Sequence, residues 1–209
     1  MKETRNLYPQ TIMRILCIGI LLIYFLMLVM GANAQTARQK AVREIYTSQI
    51  GVREKHANSG AEVEKYLRYV NLPKGNPWCA AFVCWVYGRA GVVNPRSGWT
   101  PDLFGPGRVI WTQGEKGKVK GESLVPVKGC RAYPPLAPRT ADIFGLYFPE
   151  KGRIAHVGFI DEWNDQWLTT VEGNTVEGNT NVLGSREGDG VYRKRRLTRS
   201  IYKVARYVH

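Results

Sequence analysis

The chain has 209 residues, enough for one ordinary domain and a short extension, with hydrophobic and charged contents of 44% and 22%. This composition excludes a wholly disordered or fibrous protein. Thirty Lys and Arg residues against 17 Asp and Glu residues give a net charge of +13. Such a surplus predicts an anionic partner, such as nucleic acid, a membrane surface or an acidic polymer.

The first 34 residues have the pattern of a secretory signal. A basic start is followed by Ile15–Met30, which carries no charge, and then by Ala32 and Ala34 in the small-x-small pattern that signal peptidase cuts. We therefore expect cleavage before Gln35. The alternative is an uncleaved anchor, because the uncharged stretch Ile15–Ala37 just reaches the roughly 20 apolar residues that a membrane-spanning helix needs.

Export changes the expected partner. Removal of residues 1–34 leaves 27 basic and 16 acidic residues, a net charge of +11. The protein would lie in the periplasm, the cell envelope or the extracellular space, away from nucleic acid. An anionic envelope polymer therefore becomes the favoured partner, and membrane contact is expected only through an uncleaved N-terminal segment. The basic run Arg193–Arg196 is interpreted as an exposed strand face that adds a modest attraction to such a polymer.

Three helices are predicted in the first part of the exported chain. Apolar residues at helical spacing define them, over residues 37–49, 60–71 and 77–90. Ser59 and Glu62 are expected to form a capping box on the second helix. Asn76 is expected to cap the third helix, with Pro77 at its first position.

The second half of the chain is predicted to be mostly sheet. Residues 92–139 have no period and are predicted to form a long loop that walls a groove, with a short helix near 108–112 and a strand near 124–127. Runs of β-branched and aromatic residues then predict five strands, over 141–148, 153–162, 167–172, 190–196 and 201–208. Helices followed by strands indicate a single α+β domain over 35–209 with an antiparallel sheet.

Cys79 and His156 are the candidate reactive residues. Cys79 lies in the first turn of the third predicted helix, where unpaired N–H groups and the helix dipole favour a thiolate. A thiolate is the nucleophile that an acyl-transfer enzyme needs. His156 lies inside an apolar strand, a position more typical of a core residue, but the order Cys then His is that of papain-like enzymes.

A carboxylate is expected to orient His156. If the hairpin turns about Asn164, His156 lies directly opposite Glu172, with Cβ atoms about 4.5–5.5 Å apart. The segment VEGNT occurs at 171–175 and again at 176–180. Either Glu172 with Asn174 or Glu177 with Asn179 could therefore supply the site, and the first copy is preferred because it continues the strand directly.

Four segments carry a more specific pattern: NPWCAAFVCWVYGRAG around Cys79, ADIFGLY at 141–147, RIAHVGFI around His156 and TVEGNT around Glu172. Together they resemble the CHAP family of cysteine- and histidine-dependent amidohydrolases and peptidases, which cut peptidoglycan. The resemblance spans roughly residues 45–207. It implies a papain-like fold, with N-terminal helices packed on an antiparallel sheet. It also implies Cys79 as nucleophile, His156 as general base, Glu172 as the residue that orients it and Asn174 as an auxiliary polar residue.

The resemblance implies an exported hydrolase that cleaves an amide bond of peptidoglycan, as an amidase or an endopeptidase, through a thioester acyl-enzyme. The backbone N–H of Cys79 is expected to bind the oxyanion, and Asn76 could add a second donor. The chain departs from the family pattern, which has one EGNT before a tail such as GSREGDGVYRKRR, where this chain has two. Two other functions remain open: a non-catalytic envelope-binding protein, and a membrane-anchored cysteine peptidase acting on another amide.

The remaining cysteines and acids predict no metal centre. Cys84 and Cys130 either form a disulfide or stay two buried thiols. The cysteine and histidine spacing lacks a zinc pattern, so neither a metal nor another cofactor is expected. The acidic residues Asp161, Glu162 and Asp165 are interpreted as a solvated hairpin turn.

Overall fold

A computed structural model describes residues 8–113, 137–164, 166–178 and 188–209. It divides into two compact units, residues 1–38 and 39–209. The helices are α1 (Tyr8–Ser48), α2 (Ala61–Tyr69) and α3 (Cys79–Arg89), and three short 3-10 helices cover Thr100–Phe104, Pro149–Lys151 and Thr198–Ser200. The strands are β1 (Val109–Thr112), β2 (Ile143–Phe148), β3 (Arg153–Trp163), β4 (Trp167–Thr175), β5 (Gly190–Leu197) and β6 (Lys203–Ala205).

The first unit contains the N-terminal part of α1. Within the described ranges, no helix combines the length and the apolar character needed to span a membrane. Cleavage before Gln35 stays a prediction.

The second unit is a mixed helical and antiparallel-sheet domain, so the coarse prediction of an α+β architecture is confirmed. In the described part of the chain, six strands pair in the order β1-β6-β2-β3-β4-β5, and these pairings are antiparallel. Helix α3 is buried along most of its length and contacts β3 and β4. Phe82 of α3 meets Phe159 of β3 edge to face, with ring centroids 6.0 Å apart. This packing holds the start of α3 against the central hairpin.

One predicted segment has a different secondary structure. Residues 109–112 form strand β1 instead of a helix, because Val109 pairs with Ala205 and Thr112 with Lys203 of β6. The β-branched and aromatic sequence of β1 suits a strand once a partner is available. The strand predicted near 124–127 lies outside the described residues.

Both predicted helix caps are wrong. Gly60, with its φ of 123°, occupies the N-cap of α2 and its N–H donates to Glu64 Oε1 at 3.2 Å. The Ser59 hydroxyl instead donates to the His56 carbonyl. At α3 the N-cap is Trp78, and the Asn76 amide donates to the Pro73 carbonyl at 3.0 Å. The Asn76 side chain therefore bonds within the turn before α3 and does not cap the helix. The helix begins two residues later than predicted.

Asp161 is a buried anchor, which corrects its interpretation as part of a solvated turn. Its carboxylate accepts hydrogen bonds from Arg43 Nε and the Tyr46 hydroxyl of α1, both at 2.7 Å, and it pairs with Arg193 of β5. Partner numbering shifts between Ile160 and Glu162, so Asp161 is the extra residue of a β-bulge. Asp165 lies outside the described residues.

Only part of the basic run lies on an exposed strand face, because Arg193 and Arg195 are exposed and the alternate residues are not. Burial alternates along β5, and Lys194 and Arg196 are buried. Arg193 pairs with Asp161, and further along the chain Arg206 pairs with Asp142. Several of these basic side chains therefore form ion pairs within the protein. The run of basic residues in the sequence did not indicate this, because it does not show which side chains face the interior of the sheet.

Candidate active site

Cys79 is the first residue of α3 and follows the turn in which the Asn76 amide bonds to the Pro73 carbonyl. Its side chain is 6% exposed and borders an open groove. The aromatic ring of Trp78 packs beneath it against Tyr66, and the Trp78 indole N–H donates to Glu54 Oε1 at 2.6 Å. The Cys79 thiol therefore lies at the boundary between the hydrophobic core and the groove.

The β3–β4 hairpin brings His156 and Glu172 together, but not by the predicted register. Phe159 pairs with Val171 and Ile160 with Thr170, so Gly158 rather than His156 faces Glu172. The hairpin turns between Asn164 and Trp167 instead of about Asn164, which moves the register by three residues, and the bulge at Asp161 then moves it back by one. A Cβ on Gly158 would lie 2.8 Å from Glu172 Cγ, which shows that the carboxylate side chain leans over the glycine. His156 Nε2 and Glu172 Oε2 are 2.8 Å apart, a diagonal contact in place of the predicted direct one.

Glu172 is fully buried and has three side-chain partners. Arg196 binds it through both oxygens, with Nε 2.5 Å from Oε1 and Nη2 2.6 Å from Oε2. The Thr170 hydroxyl donates to Oε1 at 2.5 Å. Burial alone would raise the pKa of Glu172, but the charge and hydrogen bonds of Arg196, followed by those of His156, hold it well below its usual range. The carboxylate is therefore ionised at neutral pH.

The pKa values of His156 and Cys79 shift in opposite directions. Burial alone would lower the pKa of His156, but hydrogen bonds and charge from Cys79 and Glu172 raise it to about 9. Burial alone would raise the pKa of Cys79, yet the His156 interaction and the backbone N–H groups of Val157 and Ala80 lower it. Because Glu172 occupies Nε2, Nδ1 is the ring nitrogen left for the thiol. The pair thus favours thiolate and imidazolium at neutral pH.

The groove beside Cys79 has a volume of about 490 Å³. Val70 and Leu72 supply apolar lining, and Trp99 supplies an aromatic side chain that is 49% exposed. Arg96 and Arg153 supply positive charge. This part of the predicted loop, residues 96–100, does wall the groove; residues 114–136 lie outside the described ranges.

The two VEGNT copies are in different environments. Glu172 contacts His156, whereas Glu177 is an exposed residue that pairs with Arg53 at 3.0 Å. The geometry therefore agrees with the choice of the first copy for the residue that orients His156. Asn179 lies outside the described residues.

The role of Asn174 stays a prediction. Asn174 lies two residues beyond Glu172 on β4, in a left-handed conformation with φ of 53°, where the pairing with β5 shifts.

Two further sequence predictions concern residues near Cys79. Asn76 borders the groove, although its amide is bonded to the Pro73 carbonyl, so its part in oxyanion binding stays a prediction. Cys84 is a free buried thiol that donates to the Ser97 carbonyl at 3.4 Å, and burial raises its pKa to about 11. Cys130 lies outside the described residues, so the choice between a Cys84–Cys130 disulfide and two buried thiols stays open.

The sequence analysis missed Arg196 and Thr170 as parts of the site. The sequence does contain a signal for them. Arg196 is two residues from Lys194 and Thr170 is two residues from Glu172, so the members of each pair lie on the same face of their strand. Using it required the pairing of β4 with β5, which places Arg196 opposite Leu168 and Lys194 opposite Thr170.

No group of three or more metal-ligating side chains occurs in the described part of the chain. Comparisons with protein-family models, with curated proteins and with solved structures gave no match. The functional argument therefore depends on the residues of the site itself.

Proposed function

We propose that the protein is an exported cysteine hydrolase of the CHAP type, with a papain-like fold, that cleaves an amide bond of peptidoglycan. One observation carries the proposal: Cys79 and His156 interact at the edge of a groove, each shifting the pKa of the other, and the buried carboxylate of Glu172 bonds to Nε2 of the imidazole. This is a nucleophile, a base and an orienting group in the order that cysteine acyl transfer requires.

The first half of the reaction forms a thioester. The Cys79 thiolate attacks the carbonyl carbon, and the backbone N–H at the start of α3 stabilises the oxyanion. His156 donates its proton to the amine as the C–N bond breaks. The amine leaves the groove, and the acyl group remains bonded to the sulfur.

The second half releases the acyl group. His156, now neutral, takes a proton from a water molecule that attacks the thioester carbonyl. The C–S bond breaks, a carboxylic acid leaves, and thiolate and imidazolium are restored. Glu172 keeps the imidazole oriented through both halves, while Arg196 and Thr170 keep Glu172 in place.

The choice of peptidoglycan has separate support. It depends on the motifs around Cys79, His156 and Glu172, on the predicted export signal and on the net charge of +13. An open groove rather than a closed cavity also suits a polymeric substrate.

Digestion of purified peptidoglycan with the full-length chain tests the proposal. Mass spectrometry of the released fragments should show new amine and carboxyl termini, and their structures would distinguish an amidase from an endopeptidase. Cys79→Ala should abolish release. Cys84→Ala is the matched control, because Cys84 is a buried thiol outside the pair, and it should still release the same fragments.

Equal release by wild type and Cys79→Ala would contradict the proposed mechanism. If neither protein released fragments from several wall chemistries but both still bound the polymer, a non-catalytic envelope-binding protein would be the better account.

A further inference from the structure

The groove beside Cys79 has a charge bias that the proposed reaction does not use. Among the residues that the structure describes, the charged ones that line it are Arg96 and Arg153, and none of these lining residues is Asp or Glu. The thiolate and imidazolium of the catalytic pair cancel each other. The two arginines therefore give the part of the groove that a substrate would occupy a positive potential.

Arg153 is held in a fixed position at the groove. Its guanidinium carbon lies 3.8 Å from the centre of the Trp99 ring, a cation–π contact. Its Nη1 donates to Thr100 Oγ1 at 3.2 Å and to the Ile154 carbonyl at 3.0 Å. Ala155, the extra residue of a second β-bulge in β3, lies between Arg153 and His156 and also lines the groove. Arg153 is thus placed by the same strand that carries the base.

The bonds of Arg153 leave its charge uncompensated. The acceptors just named are neutral, and in the described part of the chain no carboxylate lies within ion-pair distance of Arg153. Other arginines differ: Arg43, Arg196 and Arg206 each pair with an acid. A half-buried arginine with its charge unmatched and an edge free is suited to bidentate binding of a carboxylate.

Arg96 adds a second, more exposed cation. Its guanidinium lies 4.7 Å from the centre of the Tyr69 ring and donates to the Tyr69 carbonyl at 3.3 Å. Because Arg96 is exposed, water weakens its interactions more than those of Arg153. Arg153 is therefore the stronger candidate for a direct contact.

We infer that Arg153 binds a free carboxylate of the substrate close to the amide bond that Cys79 attacks, so that the enzyme selects acidic peptides. The inference rests on the proposed function, because it assigns a substrate feature to the same groove. The carboxylate could belong to an acidic side chain or to a peptide C terminus, and both present the same planar anion.

Alkylation of Cys79 tests the inference without a substrate. Iodoacetate carries a carboxylate where iodoacetamide carries a neutral amide. Peptide mass spectrometry measures the rate at which each reagent alkylates Cys79 in the full-length chain. The ratio of the iodoacetate rate to the iodoacetamide rate should fall about fivefold in Arg153→Gln, because one nearby positive charge is lost. Arg199→Gln removes an exposed charge outside this groove and should leave the ratio unchanged.

A ratio that is equal in wild type, Arg153→Gln and Arg199→Gln would overturn the inference. If Arg153→Gln fails to fold, Arg153→Lys keeps the charge without the planar fork. It should retain more than half of the wild-type ratio at low salt, and a further loss in 1 M NaCl is expected. A Lys variant whose ratio does not change in 1 M NaCl would also overturn it, because the charge at residue 153 would then have no effect on the carboxylate reagent.

Hydrolysis then identifies the source of the carboxylate. Two synthetic stem peptides are compared with their parent, one amidated at its C terminus and the other at its glutamate side chain. The amidation that lowers kcat/KM about tenfold in wild type, but not in Arg153→Gln, marks the group bound. Equal kcat/KM for all three peptides would contradict the inference. If wild type cleaves none of them, the proposed function fails, and the alkylation ratio still decides the role of Arg153.

Discussion

Glu172 shows how single residues determine the chemistry of this site. The site contains a row of four charged groups whose signs alternate. They are the thiolate of Cys79, the imidazolium of His156, the carboxylate of Glu172 and the guanidinium of Arg196. The four charges sum to zero, and each charge has an opposite neighbour within hydrogen-bond reach. Such pairing offsets the cost of burying them, a cost that would be several kcal/mol for an isolated ion.

The first prediction concerns Glu172 and pH. Activity requires a protonated His156, so it should fall as pH rises through about 9. Glu172→Gln removes a carboxylate that helps to raise this pKa. The alkaline limb of kcat/KM should therefore move toward the ordinary value of 6.5, and the rate at neutral pH should fall at least tenfold. A pH profile of fragment release measures both effects.

Glu177→Gln is the matched control, because Glu177 occupies the same place in the second VEGNT copy but is exposed. It should have the wild-type pH profile. An unchanged profile in Glu172→Gln, together with a shifted one in Glu177→Gln, would reverse the assignment.

The second prediction concerns Arg196. Arg196→Gln leaves the fully buried Glu172 without its bidentate cation, and the free energy of unfolding should drop by about 3–5 kcal/mol. Arg196→Lys keeps the charge but loses the fork, so a smaller loss is expected, with a reduced kcat. Urea unfolding of the full-length chain measures stability. Arg195→Gln, at the exposed neighbour that stacks on Trp167, should lower stability by less than Arg196→Gln; equal losses would contradict the account.

At the scale of elements, β-bulges set the geometry of the site. Although β1 was predicted as a helix, strands β2 to β6 were predictable from the sequence, because runs of β-branched and aromatic residues lie between turn residues. The register was not, since an extra residue in one strand leaves no local sequence signal. The prediction of a direct His156–Glu172 pair failed because the hairpin turns between Asn164 and Trp167 instead of about Asn164, and because the bulge at Asp161 moves the register once more. The contact itself was anticipated.

The third prediction concerns the bulge residue Asp161, which joins α1 to β3 and β5. Asp161→Ala leaves the buried Tyr46 hydroxyl without this acceptor, and about 2 kcal/mol of unfolding free energy should be lost. Arg43 and Arg193 are partly exposed and can regain water, which limits the loss. Urea unfolding followed by tryptophan fluorescence measures it.

Glu162→Ala serves as the control at the adjacent exposed position and should change stability by less than about 0.5 kcal/mol. If Glu162→Ala lowered the free energy of unfolding as much as Asp161→Ala, the bonds of Asp161 would contribute no more to stability than an exposed side chain does, which would contradict the account.

At the scale of the whole molecule, the α+β class and the approach of Cys79, His156 and Glu172 were accessible from the sequence. A cysteine at a helix start and a histidine in a strand leave local signals in the order of residues. The partners of a long-range ion pair leave none, so the run at 193–196 was misjudged as a solvated face. Its alternating burial and its pairing with Glu172 and Asp161 become visible only in the folded sheet.

The central claim is that Cys79 forms a covalent thioester with its substrate. The most direct measurement is mass spectrometry of the full-length chain, quenched in acid during turnover of peptidoglycan fragments, because thioesters survive at low pH. We predict an acyl adduct on the peptide that contains Cys79, its absence in Cys79→Ala and its presence in Cys84→Ala. Product formation by Cys79→Ala at the wild-type rate, with no adduct on Cys79 in the wild type, would contradict the account.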